Sequence, residues 1–121
     1  MQRACELLWR SEKYKVMYYS QKHYNLIRQL MRTTPTLDQL QQLLKEAYNE
    51  QPTDGSKQNA IEHMWGYFKK IATLEEKDTY KKLLQSKQFS TLQSFLYELA
   101  IQYDVTYLLN SSILHEKTVR E

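Results

Sequence analysis

Apolar positions recur at three- and four-residue intervals along most of the chain, the spacing that aligns side chains on one face of a helix. A first helix is predicted from about Arg3 to Tyr19. Leu8, Trp9, Val16 and Tyr19 share one side and Leu7, Tyr14 and Tyr18 another, so this helix is apolar over much of its circumference and is expected to lie wedged between neighbours. Ser20 ends it and caps a second helix of roughly Gln21 to Arg32. Pro35 in "TTPT" disfavours helix at Thr34, and Thr36 opens a third helix with Leu37, Leu40, Leu44, Ala47 and Tyr48 in one stripe. "QPTDGS", Gln51 to Ser56, reads as the clearest loop, with Pro52 and the turn pair Asp54 and Gly55.

A fourth helix is expected from near Ser56 to about Ile71. Thr73 and Glu76 form a capping box for a fifth, running through Leu84. "STLQSFLYELAIQY" gives a sixth with Leu92, Phe95, Leu96, Leu99 and Tyr103 aligned. A short final helix is placed at Val105 to Leu109, and "NSSILHEKTVRE" reads as a loosely held tail. The expected fold is therefore all-α, a compact single-domain bundle of five to seven helices spanning residues 1–121, with the fourth helix central and contacted on both faces. Length and composition agree: 121 residues is one domain's worth, and only Gly55, Gly66, Pro35 and Pro52 interrupt it.

The fourth helix carries the most specific pattern, in "NAIEHMWGYFKK". Ile61, Met64, Trp65, Phe68, Ile71 and Ala72 fall on one face, an ordinary core stripe, while Asn59, His63, Gly66, Tyr67 and Lys70 fall on the opposite one. A glycine inside a helix costs about 1 kcal/mol against alanine, so its presence beside His63 and Tyr67 points to close approach of another backbone or of a ligand. Two readings follow. In one, a neighbouring helix crosses at Gly66 and Asn59, His63 and Tyr67 make buried hydrogen bonds to it. In the other, Gly66 floors a pocket whose walls offer an imidazole, a phenol, an amide and an ammonium.

Charge changes the picture modestly. Residues 1–34 hold Arg3, Arg10, Lys13, Lys15, Lys22, Arg28 and Arg32 against Glu6 and Glu12, whereas residues 35–56 set Lys45 against Asp38, Glu46, Glu50 and Asp54. With Tyr14, Tyr18, Tyr19 and Tyr24 interleaved, the basic third offers either a phosphate-attracting face with rings for stacking or a solvated charged face around a tyrosine-rich core. The net charge of +3 favours the second. No apolar run approaches the roughly 20 residues of a membrane crossing. No signal-type segment stands at the N-terminus and Cys5 has no disulfide partner, so a cytoplasmic protein is expected. His23, His63, His115 and the single cysteine show no metal spacing, and there is no glycine-rich phosphate loop and no nucleophile in a recognisable motif. No cofactor and no metal are called for.

"EKYKVMYYSQKHY" (Glu12 to Tyr24), then Asn59, His63 and "GYFKK" (Gly66 to Lys70), then "YDVTYLL" (Tyr103 to Leu109) resemble the YbgA-like bacterial domain, a family of unknown function, over nearly the whole chain. Its signature positions fall on Lys15, Tyr24, Asn59, His63, Gly66, Tyr67, Phe68 and Lys69. Members occur alone or fused behind an iron–sulfur desulfidase domain of the kind that acts on thiolated uracil, which implies a role near modified nucleobases or RNA. The desulfidase cysteines are absent here, so its cluster and chemistry are not inherited, and the tail from Asn110 to Leu114 departs from the family.

The ligand-binding candidates are Lys15, Tyr24, Asn59, His63, Gly66, Tyr67 and Lys70, with no catalytic residue assigned. Three functions are expected in order. The first is a non-catalytic helical binding or accessory module for a nucleotide, an RNA or a desulfidase-type partner protein. The second is a small enzyme using His63 and Tyr67 for acid–base chemistry, and the third a pure protein-interaction domain.

Overall fold

The computed structural model describes residues 2–115, and all regular structure among them is helical. The elements are α1 (Gln2–Tyr19), α2 (Gln21–Leu30), α3 (Leu37–Tyr48), α4 (Asp54–Trp65), α5 (Leu74–Gln85), α6 (Phe89–Gln102) and α7 (Thr106–Leu109), followed by a helical turn over residues 112–115. The sequence marks the starts of α2, α3, α4 and α5 with side-chain caps. The Ser20 hydroxyl accepts from His23 N at the start of α2. Thr36, Thr53 and Thr73 each accept from the third residue of the helix they open, whose side chain returns the bond to the cap.

The Thr53 cap shortens the expected loop. Thr53 Oγ1 accepts from Ser56 N at 3.0 Å and Ser56 Oγ accepts from Thr53 N at 3.0 Å. Asp54 and Gly55 therefore form the first turn of α4 rather than a reverse turn, with the Asp54 carboxylate at the positive end of the helix dipole.

At its other end α4 stops earlier than the apolar pattern predicts. Gly66 is its C-cap, at φ −52° and ψ −26°. The chain then continues through three-residue turns, Tyr67 N to Met64 O, Phe68 N to Trp65 O and Ile71 N to Phe68 O. The expected single face of Asn59, His63, Gly66, Tyr67 and Lys70 thus does not exist as a helical stripe, because a tighter winding rotates Tyr67 and Lys70 away from it.

The core has two clusters that share α1. Tyr14, Met17 and Tyr18 join Ile61, Met64, Phe68, Leu92, Leu96 and Leu99 on one side, and Cys5 and Val16 join Ile27, Leu40, Leu44 and Ala47 on the other. This is the wedge that the first helix's broad apolar surface predicts, and α1 contacts α2, α3 and α4. Helix α4 is contacted by α1 and α6 over its buried stripe, while His63, Gly66 and Tyr67 face solvent. The expectation that it is contacted on both faces holds for Asn59, bonded to Gln21 of α2, and for Tyr67, beside Tyr14 of α1, but for His63 and Gly66 it is wrong.

So is part of the loose tail. Ile113 and Leu114 are fully buried in the first cluster, and Gln93 Nε2 donates to Ile113 O. Residues 116–121 lie outside the described part. No helix among the described residues is long and apolar enough to cross a membrane.

Candidate functional site

An open groove of about 600 Å³ lies where the starts of α2 and α4 come together. Tyr19, Ser20, Gln21 and Lys22 form one bank, Thr53, Gly55, Ser56, Asn59 and His63 the other, and Glu50 and Gln51 close one end. The two banks are stitched by Ser56 Oγ, which donates to Tyr18 O at 2.8 Å, and by Asn59 Nδ2, which donates to Gln21 Oε1 at 2.7 Å. Gln21 Nε2 donates in turn to Asn25 Oδ1 at 3.2 Å. These bonds fix the amide orientations before any ligand arrives.

His63 is oriented too. Its Nδ1 lies 2.8 Å from the carbonyl oxygen of Asn59, one turn back. A carbonyl only accepts, so Nδ1 carries the proton, and in the neutral ring Nε2 is left as an acceptor. The caps use His23 N and Ser56 N, so the N–H groups of Gln21, Lys22, Asp54 and Gly55, in the first turns of α2 and α4, are the donors that the helices leave to other partners. Lys22 adds a full positive charge on the same bank. Glu50 is the one carboxylate among the lining residues.

Of the candidates read from the sequence, the structure brings Asn59 and His63 together in this groove. Gly66 shares a shallower depression of about 320 Å³ with Glu62, His63 and Lys69, so His63 stands on the ridge between the two. Lys70 is exposed and lines neither. A Cβ added at Gly66 would meet only the carbonyls of His63, at 3.1 Å, and Glu62, at 4.0 Å, which belong to the turn it caps. No other backbone approaches it, so neither close helix crossing nor buried hydrogen bonding explains the glycine. It stands at the end of α4 with φ −52°, which any residue adopts, so the backbone gives no steric reason for glycine there.

Lys15 lies elsewhere, with its Nζ 4.3 Å from the Tyr48 ring centroid on the side of α1 that faces α3. Tyr48 packs its ring 5.5 Å from Tyr19 and donates its hydroxyl to Glu12 at 2.7 Å. Tyr24 and Tyr67 belong to a third neighbourhood. The Tyr67 hydroxyl is 3.3 Å from that of Tyr14, and its ring lies 6.1 Å from Tyr107 at 24°. Tyr24 packs 5.8 Å from Trp9. Burial, and then the Tyr67 hydroxyl, push the Tyr14 phenol far above its ordinary pKa, and burial raises that of Tyr107. These hydroxyls stay neutral at physiological pH. Phe68, the remaining signature aromatic, is fully buried core.

Sequence reasoning missed the groove's second bank. Lys22 and Gln21 are ordinary polar residues of a helix start in sequence, and only the packing of α1 against α4 sets them opposite Asn59. The Thr53 cap was legible as a threonine three residues before a serine, but the Asp54 and Gly55 pair between them imitated a turn.

Among the described residues no group of three His, Cys, Asp or Glu side chains is close enough to hold a metal ion. The chain belongs to a family described as protein of unknown function (DUF1722), which matches residues 13–117. That span takes in all seven candidate positions. No curated protein and no solved structure matches the chain.

Proposed function

We propose that the protein is a non-catalytic helical binding module whose groove between the starts of α2 and α4 takes up a nucleotide. The observation that carries this reading is the convergence, in one groove of about 600 Å³, of a cationic Lys22, two helix starts and the fixed side chains of Asn59 and His63. That volume lies within the usual range of small-molecule sites. Helix starts and a lysine favour a phosphate, while the Asn59 amide, the His63 Nε2 and the Tyr19 ring suit a heteroaromatic base. Glu50 offers an acceptor for sugar hydroxyls. The resemblance to the YbgA-like bacterial domain, with its desulfidase fusions, supports a nucleotide over other small anions and a desulfidase-type protein as the partner served. A cytoplasmic setting, in keeping with the unpaired Cys5, is part of the same reading.

Calorimetry with uridine monophosphate, and with uridine as the phosphate-free control, tests this reading. Uridine monophosphate is expected to bind the wild-type protein at low salt and more weakly as salt rises, with uridine far weaker throughout. Lys22→Gln should lower affinity about tenfold, the size of one charge-assisted hydrogen bond, and His63→Ala about fivefold, the size of a neutral one. No heat of binding by the folded protein, or variants that bind as the parent does, would overturn the proposal.

A second reading is favoured by one specific feature. A histidine whose Nδ1 proton is held by a carbonyl presents Nε2 as a base, as a small acid–base enzyme needs. Among the described residues, however, that ring is bonded to nothing but Asn59 O, and no second titratable group is hydrogen-bonded to it. Tyr67, the proposed second group, is engaged with Tyr14 and Tyr107 and lines neither depression that His63 lines. A pH-dependent turnover that His63→Ala abolishes would favour the enzyme.

A further inference from the structure

A different surface, independent of the groove, combines guanidinium groups with tyrosine rings. On α1, Arg10 holds its Cζ 5.9 Å from the Tyr107 ring centroid, and on α2, Arg28 holds its Cζ 5.8 Å from that of Tyr24. Tyr67 is 39 % exposed beside Tyr107, with the two rings nearly parallel. Tyr14 supports them from below, 6.5 Å from Tyr67 and 6.2 Å from Tyr107 in edge-on contacts. Tyr24 packs, as Tyr107 does, against the core cluster that holds Tyr14, and its ring lies 5.8 Å from that of Trp9, the neighbour of Arg10 on α1, so the two arginine–tyrosine pairs border the same part of the bundle.

The patch extends along α2. Asn25, Arg28, Gln29 and Arg32 line a shallow groove of about 200 Å³ running beside that helix. Asn25, Arg28 and Gln29 share one stripe of α2, and Arg32 follows in the turn just past its end. The segment "QKHYNLIRQL" contains no carboxylate, and among the described residues neither Arg28 nor Arg32 makes an ion pair. Two exposed guanidiniums flanked by two amides therefore face solvent with no ion-pair partner among the described residues.

We propose that this patch, with Arg28 and Arg32 on phosphates and Tyr67, Tyr107 and Tyr24 beside bases, is a binding surface for single-stranded nucleic acid. Guanidiniums match phosphodiester oxygens through paired N–H donors. Rings at the surface stack only on bases that are not already stacked within a duplex, which selects a single strand. An acidic peptide would use the arginines but leave the rings without planar partners.

The test is fluorescence anisotropy with labelled oligouridylate and labelled oligothymidylate, which separates RNA from DNA as the source of the strand. One or both should bind the wild-type protein at low salt, with affinity falling steeply as salt rises. The double variant Arg28→Gln, Arg32→Gln should bind at least about tenfold more weakly. Its logarithmic salt slope should fall by about 0.7 for each phosphate that an arginine no longer neutralises. Tyr67→Leu should weaken binding with the slope nearly unchanged, because stacking releases no counterions. Lys81→Gln, at an exposed position of α5 outside both surfaces, should bind the strand as the parent does, and the nucleotide reading is tested separately by calorimetry with uridine monophosphate, so the two fail independently. Circular dichroism checks that each variant is folded, and the exposure of both arginines makes that the expected result. Folded wild-type protein that binds neither strand at low salt would overturn the proposal. So would a double variant with unchanged affinity, or a glutamate-rich peptide that binds as tightly as the strands.

Discussion

Gly66 stands at the end of α4 with φ −52° and ψ −26°, a conformation open to any residue. Its neighbours are the carbonyls of its own turn, and outward from it the surface is open. Gly66→Leu should therefore melt within about 1 kcal/mol of the parent, the usual range for a glycine replaced where φ is negative. A destabilisation well beyond that, measured by thermal or urea denaturation, would mean that another segment packs on Gly66 after all. The tyrosines make a second residue-scale prediction. Tyr80 stacks on Trp65 at 4.1 Å, and burial, then the nearby Glu62 charge, push its pKa from 10.0 up to about 12. Tyr14 is raised further by the same cause. A folded-state pKa above the unfolded value means that the unfolded chain releases the proton first. The stabilisation from the neutral Tyr80 phenol is then complete below pH 10 and is lost as pH rises through 12, while that from Tyr14 begins to fall over the same range and goes on falling above it. Urea midpoints should accordingly fall steadily over that alkaline range, and Tyr80→Phe should make the fall shallower. A midpoint flat across it would contradict the burial of these hydroxyls.

At the scale of elements, helix existence and helix starts were legible because both are written locally. Apolar residues at helical spacing mark the buried faces, and Ser20, Thr36 and Thr73 are caps that the sequence displays directly. Helix ends were less legible. The stops of α5 and α6 use left-handed backbone at Lys87 and Asp104, each at φ 55°, where the sequence offers no glycine to announce them. The end of α4 was announced by a glycine, but the apolar pattern ran on through Phe68 and Ala72, and buried side chains after a tight turn look the same in sequence as a longer helix. The tail was misread for a related reason: Ile113 and Leu114 are only two apolar residues in a polar setting, and their burial depends on α6 and α7 being in place. Leu114→Ala should consequently destabilise the fold by about 2 to 5 kcal/mol, the cost of a cavity in a packed core. A denaturation midpoint unchanged in that variant would return the segment to the status of a loose tail.

Across the whole molecule, α1 organises both the fold and its surfaces. Its two apolar sides hold the two core clusters, its end at Tyr19 forms one bank of the groove, and Arg10 and Tyr14 reach the tyrosine patch. The candidate residues divide accordingly. Asn59 and His63 are in the groove, Tyr24 and Tyr67 are on the patch, Lys15 is on the α3 side, and Lys70 is at an exposed turn. Residues 14 and 67, or 22 and 59, are brought near each other by tertiary packing of α1, α2 and α4, which no local pattern encodes. The central claim is that the groove binds a nucleotide, and an amide NMR titration with uridine monophosphate tests it most directly. Shifts concentrated at the amides of Gln21, Lys22, Asp54 and Gly55, saturating together and accompanied by the His63 ring signals, are the predicted result. Signals that stay unmoved at those positions, or a saturable response confined to some other part of the bundle, would contradict the account.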